Sequence, residues 1–134
     1  QRLYPFQGNV QDYIDNFDNL DFPRPDCCDQ CGSKKPLNKH SSYPRQLKDF
    51  DRDYSNIPVQ RFLCKPCGST VSFLPSFAVP YKHYSSSVIN QYLDEILRLS
   101  SSINSVYKHH YMAAYTTVRT WLNQFTDNGA CLYQ

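Results

Sequence analysis

At 134 residues the chain holds about one domain, or two very small modules, which is short for an enzyme. With 40% hydrophobic and only 19% charged residues it is too apolar to be disordered, and no apolar run approaches the ~18 residues of a membrane-spanning helix. Residues 1–33 carry two basic and six acidic groups, 34–67 eight and three, and 68–134 four and three, so the basic character sits mid-chain; the single Glu, Glu95, argues against a carboxylate-based hydrolase or nuclease.

The start, Gln1-Arg2-Leu3-Tyr4-Pro5, lacks a basic patch leading into an apolar stretch and is read as a trimmed start, not a signal peptide. In the acidic arm at 1–26, Val10, Tyr13, Ile14, Phe17 and Leu20 follow a helical stripe between Pro5 and Pro23, with Asp12, Asp15, Asp18 and Asp21 on the other sides. The expectation is a docked helix with its acids in water. The sharper reading makes the acids a contact for a basic partner or for the Lys34–Lys39 stretch.

Cys28-Asp29-Gln30-Cys31-Gly32 and Cys64-Lys65-Pro66-Cys67-Gly68 are two C-x-x-C-G units. Each places two thiolates on one side of a tight turn, and the following Gly accepts the positive φ that such a turn requires. One structural Zn²⁺ held by Cys28, Cys31, Cys64 and Cys67 is expected, with Cys27 and Cys131 free; a disulfide framework is the disfavoured alternative. His40 is read as an exposed histidine, because four cysteines already complete the site.

The 32 residues separating Cys31 from Cys64 imply an inserted loop. From Lys34 to Arg45 the sequence is basic and turn-rich, so a mobile loop with one strand attempt near Leu37 to Tyr43 is expected. Lys34, Lys35, Lys39 and Arg45 are its candidate phosphate contacts on DNA. Strands are expected at Ile57–Cys64 and Thr70–Leu74, forming the β-hairpin of a zinc ribbon over 27–80.

Pro75 and Pro80 end the sheet. Ser87 then caps a helix from Val88 to Leu99, with Val88, Tyr92, Ile96 and Leu99 as its stripe and Ile89, Leu93 and Leu97 widening it. Ser100-Ser101-Ser102 stops it and offers caps for a second helix over Ile103–His110. A third starts near Thr116, with Val118, Trp121, Leu122 and Phe125 on its apolar face. Short helix, small-residue turn at Met112-Ala113-Ala114 and polar helix are the pattern of a helix-turn-helix over 81–128, followed by a tail at 129–134. Tyr115, Thr116, Thr117, Arg119, Thr120 and Asn123 are the candidate DNA-reading residues. Adjacent His109 and His110 are expected to point apart, which removes them as a paired catalytic group. No catalytic residue is expected. The fold class is α+β, a small zinc ribbon with two Cys-x-x-Cys knuckles followed by a three-helix bundle.

The run Arg61-Phe62-Leu63-Cys64-Lys65-Pro66-Cys67-Gly68-Ser69-Thr70-Val71-Ser72-Phe73-Leu74-Pro75, continuing through Pro80-Tyr81-Lys82 to Tyr84-Ser85, resembles zinc-ribbon plus helix-turn-helix proteins of bacterial insertion sequences and transposons. The resemblance covers roughly residues 20–125 and is most specific at the second knuckle with its Ser-Phe-Leu-Pro tail. It implies a transposition accessory or regulatory factor binding double-stranded DNA at element ends or targets, or the detached N-terminal module of a transposase. A transposase or other transposition protein is the implied partner, and the bacterial cytoplasm, at the nucleoid, the implied location. The competing class is a zinc-ribbon adaptor that binds protein without reading DNA.

Overall fold

The structure, a computed structural model, describes residues 1–132, with side chains to residue 128. The expectations for Cys131 and for a tail at 129–134 fall outside the described side chains. The chain is α+β and divides into two compact units, Gln1–Ser86 and Ser87 onward.

The first unit is a four-stranded sheet: β1 (Arg2–Tyr4), β2 (Asn38–Lys48), β3 (Asp53–Leu63) and β4 (Thr70–Pro75), in the order β1-β4-β3-β2. β2 and β3 form an antiparallel hairpin that opens with Asn38 opposite Leu63 and closes with Lys48 opposite Asp53. β3 and β4 are also antiparallel, and β1 adds to β4 in parallel.

The hairpin corrects the expected mobile loop, since the chain from Asn38 onward is strand. Residues 39–42 of β2 are exposed, and in its second half the inward series Tyr43, Arg45 and Leu47 is interrupted by a cation, so no apolar alternation announces the strand; its order comes from pairing with β3. The pairing shifts register between His40 and Tyr43, where buried Gln60 donates from Nε2 to the carbonyls of His40 (2.6 Å) and Arg61 (2.8 Å). A buried amide left unpaired there would cost about 1–3 kcal/mol.

The acidic arm docks as its apolar stripe suggested. α1 (Val10–Asn16) starts at a reciprocal capping box, in which Asn9 Oδ1 accepts from the Asp12 amide and Asp12 Oδ2 from the Asn9 amide. A single 3-10 turn, Phe17–Asn19, follows it. Val10 and Tyr13 are buried in the core with Phe22, Leu37, Leu47, Tyr54, Ile57, Phe62 and Phe73, while Ile14, Phe17 and Leu20 pack at its margin. Aromatic rings dominate: Tyr13 meets Phe6 and Phe77 edge-on at 5.3 Å each, and its hydroxyl donates to the Pro58 carbonyl. Burial pushes the Tyr13 phenol above its ordinary range.

The second unit holds α2 (Ser86–Leu97) from its second residue, with α3 (Ile103–His110) and α4 (Tyr115–Leu132). Ser102 caps α3, its Oγ accepting from the Ser105 amide. Tyr111 ends α3 in the left-handed region at φ +55°, a conformation that favours glycine. Tyr92, fully buried on α2, secures this turn: its hydroxyl oxygen accepts from the amides of Met112 and Ala113, both at 3.2 Å, and its ring meets Trp121 edge-on. Val118 and Trp121 are buried as expected, but Phe125 is 52% exposed and Leu97 46%, so the apolar stripes of α2 and α4 are narrower in burial than in sequence. Among the described residues no helix is long and apolar enough to cross a membrane.

Tyr92→Phe removes the acceptor of one buried and one half-buried amide while keeping the ring. It should cost about 1–3 kcal/mol of stability, measured by chemical denaturation followed by helical circular dichroism. A Tyr111→Gly change relieves about 1–2 kcal/mol of left-handed strain against about 0.4–1 kcal/mol of added unfolded-chain entropy, so it should stabilise by up to about 1 kcal/mol in the same assay.

Candidate metal centre

The two knuckles share one backbone design. The Cys28 amide donates to the Ser33 carbonyl and the Gly32 amide to the Cys28 carbonyl; the Cys64 amide donates to Ser69 and the Gly68 amide to Cys64. Gly32 and Gly68 sit at φ +70° and +74°, and a Cβ on either would meet nothing within 4 Å. Their requirement is therefore conformational, not steric.

This repeated turn brings Cys28, Cys31, Cys64 and Cys67 together with all four sulfurs within 4.8 Å of one another. Cys28 Sγ lies 3.6 Å from Cys67 Sγ, and Cys31 Sγ 3.7 Å from Cys64 Sγ. Metal–sulfur bonds of ~2.3 Å give a tetrahedron with edges of about 3.8 Å, so the set fits one thiolate-bound metal ion. Cys28 and Cys64 are buried and Cys31 and Cys67 exposed, while Cys27 is exposed and outside the cluster. His40, on β2, also lies outside it.

The sulfurs differ in their pull on protons. The Ser69 hydroxyl, then the amides of Cys31 and Gln30, bring the Cys28 thiol down to about 6, and Ser69 lowers Cys67 as well. At Cys64 the Cys67 amide acts downward but is outweighed by burial and the surrounding thiols, which push it up to about 12. Cys31 is raised too, the downward pull of the Ser33 amide being outweighed by burial and by Cys67. Four thiolates so crowded do not ionise together alone; a cation among them removes that conflict.

The basic residues separate into two groups. Lys34 and Lys35 follow the first knuckle and Lys39 is the second residue of β2; all three are exposed. Arg45 differs from the expected loop cation: it is half-buried on β2, and its guanidinium donates to the carbonyls of Val79 and Lys82. On α4, Tyr115, Thr116, Arg119, Thr120 and Asn123 are exposed, whereas Thr117 is half-buried. No acidic side chain occurs on α4 before Asp127.

The histidines correct another expectation. His109 and His110 do not point apart: their ring centroids are 4.6 Å from each other, and both face Glu95 on α2. His110 Nε2 is 2.7 Å from Glu95 Oε1, and His109 Nδ1 is 3.8 Å from Oε2. One ring uses its near nitrogen and the other its far one, which lets adjacent residues on a helix converge.

Residues 28–121 match the model of a protein family, a domain of unknown function (DUF6431). The chain belongs to this family. The family segment begins at the first clustered cysteine and ends at buried Trp121, so it takes in both knuckles, all of α2 and α3 and the start of α4. No curated protein and no solved structure matches the chain.

Cobalt added to the metal-free chain should develop sulfur-to-cobalt charge-transfer absorption, retained in Cys27→Ser and abolished in Cys64→Ser. Gly32→Ala and Gly68→Ala should each cost about 1–2 kcal/mol of stability in denaturant while keeping that absorption, because the penalty lies in φ alone.

Proposed function

We propose that the chain is a DNA-binding protein with one structural Zn²⁺, built as a zinc ribbon followed by a helix-turn-helix. The observation that carries this reading is the exposed face of α4, where Tyr115, Thr116, Arg119, Thr120 and Asn123 present hydrogen-bonding groups with no acid among them. A helix entering the major groove needs such groups opposite base edges, and Arg119 suits guanine O6 and N7 together. The pinned turn before α4 supports the same reading, since a recognition helix must be held rigidly by the helices preceding it. Four thiolates in a tetrahedral set favour zinc over harder cations, and when bound the ion would clamp the two knuckles together.

Exposed Lys34, Lys35 and Lys39 are suited to phosphates, which position a protein on DNA without reading sequence. Arg45, engaged with Val79 and Lys82, is withdrawn from that role. The resemblance of the second knuckle and its tail to proteins of bacterial mobile elements makes element-end or target DNA the proposed ligand, with a transposase as partner in the bacterial cytoplasm.

The adaptor reading has one observation in its favour. Leu93, Leu97 and Phe125 form the apolar part of a groove of about 460 Å³ within the helical unit, rimmed by Gln91, Asp94 and Arg98, a mixed surface of the kind that receives an amphipathic partner helix. Salt separates the two readings. DNA affinity should fall steeply as salt rises, and an apolar contact should barely respond.

Selection from a random duplex library tests the proposal directly. A preferred sequence should emerge, and Arg119→Ala should lose discrimination at one base pair, worth about 1–3 kcal/mol, while keeping fold and metal. Lys34→Ala with Lys35→Ala should weaken binding equally on all sequences and lower the salt slope by roughly one unit per lost contact. A folded Arg119→Ala protein with unchanged specificity and affinity would move the assignment to the adaptor.

A further inference from the structure

We infer that Glu95, His109 and His110 form a second metal site, for an exchangeable divalent cation of the zinc class, separate from the four cysteines. The three donor atoms, one carboxylate oxygen and two imidazole nitrogens, lie within 4.8 Å of one another. Bonds of about 2.0–2.1 Å to nitrogen and oxygen require donor separations of roughly 3.3–3.4 Å. His110 Nε2 lies 2.7 Å from Glu95 Oε1 and His109 Nδ1 3.8 Å from the other oxygen, Oε2, so the carboxylate faces both rings, and rotation of the exposed His109 ring about its side chain brings the three donors to that spacing.

The surroundings are those of a supported ligand set. Gln91 Nε2 donates to Glu95 Oε1 at 2.9 Å and so orients the carboxylate from within α2. The His110 ring rests on Tyr92, centroids 4.9 Å apart. The Glu95 and His110 side chains are only 13% and 17% exposed, whereas His109 is 72% exposed. Two ligands are thus fixed inside and the third closes from the solvent side, leaving a fourth position open to water, as in zinc sites with three protein ligands. Two imidazoles with one carboxylate select borderline cations such as Zn²⁺, Ni²⁺ or Co²⁺ over Ca²⁺ or Mg²⁺, which take oxygen ligands. The ion would join α2 to the last turn of α3, immediately before the turn leading into α4.

The test uses the full chain with its cysteines loaded and loose metal removed, titrated with Zn²⁺ in a calorimeter. One further equivalent should bind, and the imidazole resonances of two of the four histidines should shift in nitrogen-correlated NMR spectra. In His109→Ala, whose lost side chain is exposed, and in Glu95→Gln, the further equivalent should bind at least tenfold more weakly. Both variants should keep the wild-type melting midpoint without added metal to within a few degrees, yet fail to gain the rise that Zn²⁺ gives the wild type. No binding beyond the cysteine-bound metal in the wild type, or a further equivalent held with unchanged affinity by both variants, would overturn the assignment.

Discussion

The convergence of two identical turns on four sulfurs is the constraint around which the first unit is organised. Chain leaving Cys31 must travel out and return to Cys64, and the β2–β3 hairpin is that excursion made regular. Its register places Asn38 opposite Leu63, so the two ends of the excursion come back side by side next to the sulfurs. Closing a loop of this length carries an entropic cost that grows only slowly with added residues. Ladder hydrogen bonds and the burial of Leu47, Tyr54, Ile57 and Phe62 offset it. The second knuckle is also the connection between β3 and β4, so a single local geometry sets the cluster and the antiparallel pairing.

Much of this was legible in residues whose chemistry is local. Spacing alone selects Cys28 over Cys27, and Ser102 with the stripe that follows marks α3 over Ile103–His110 as observed. What depends on partners distant in sequence was not legible. β1 is three residues long beside Pro5, and only pairing with β4 makes it a strand. The length of β2 is hidden because residues 39–42 are exposed and Arg45 interrupts the inward series of Tyr43 and Leu47. Arg45 reads as a free cation until the carbonyls of Val79 and Lys82 are brought to it by the returning chain. Helical periodicity sends His109 and His110 to different faces, but it takes no account of whether a ring reaches with Nδ1 or Nε2.

In the helical unit a single hydroxyl holds what sequence leaves loose. Tyr111 occupies a backbone region where its side chain brings only strain, and the exposed ring is 80% accessible, so nothing in its own packing retains that conformation. Retention comes from the Tyr92 oxygen, which satisfies the next two amides at once. Polar chemistry at one buried point thereby fixes the direction in which α4 departs. The contacts of Glu95 with His109 and His110 start from the same turn of α2 as the Tyr92 hydroxyl.

The arm that precedes the family segment is part of the first unit's core, although it carries none of the cysteines. Excising the chain at residue 28 would remove Val10, Tyr13 and Phe22 from among the rings they pack against, and would strip β1 from the edge of β4. The fragment would keep all four sulfurs yet present a bare sheet margin beside uncovered Phe73 and Phe77, a template for edge-to-edge aggregation. Family boundaries and folding boundaries therefore part company here: the piece that keeps this core and the covered edge of β4 begins some two dozen residues ahead of the first clustered cysteine.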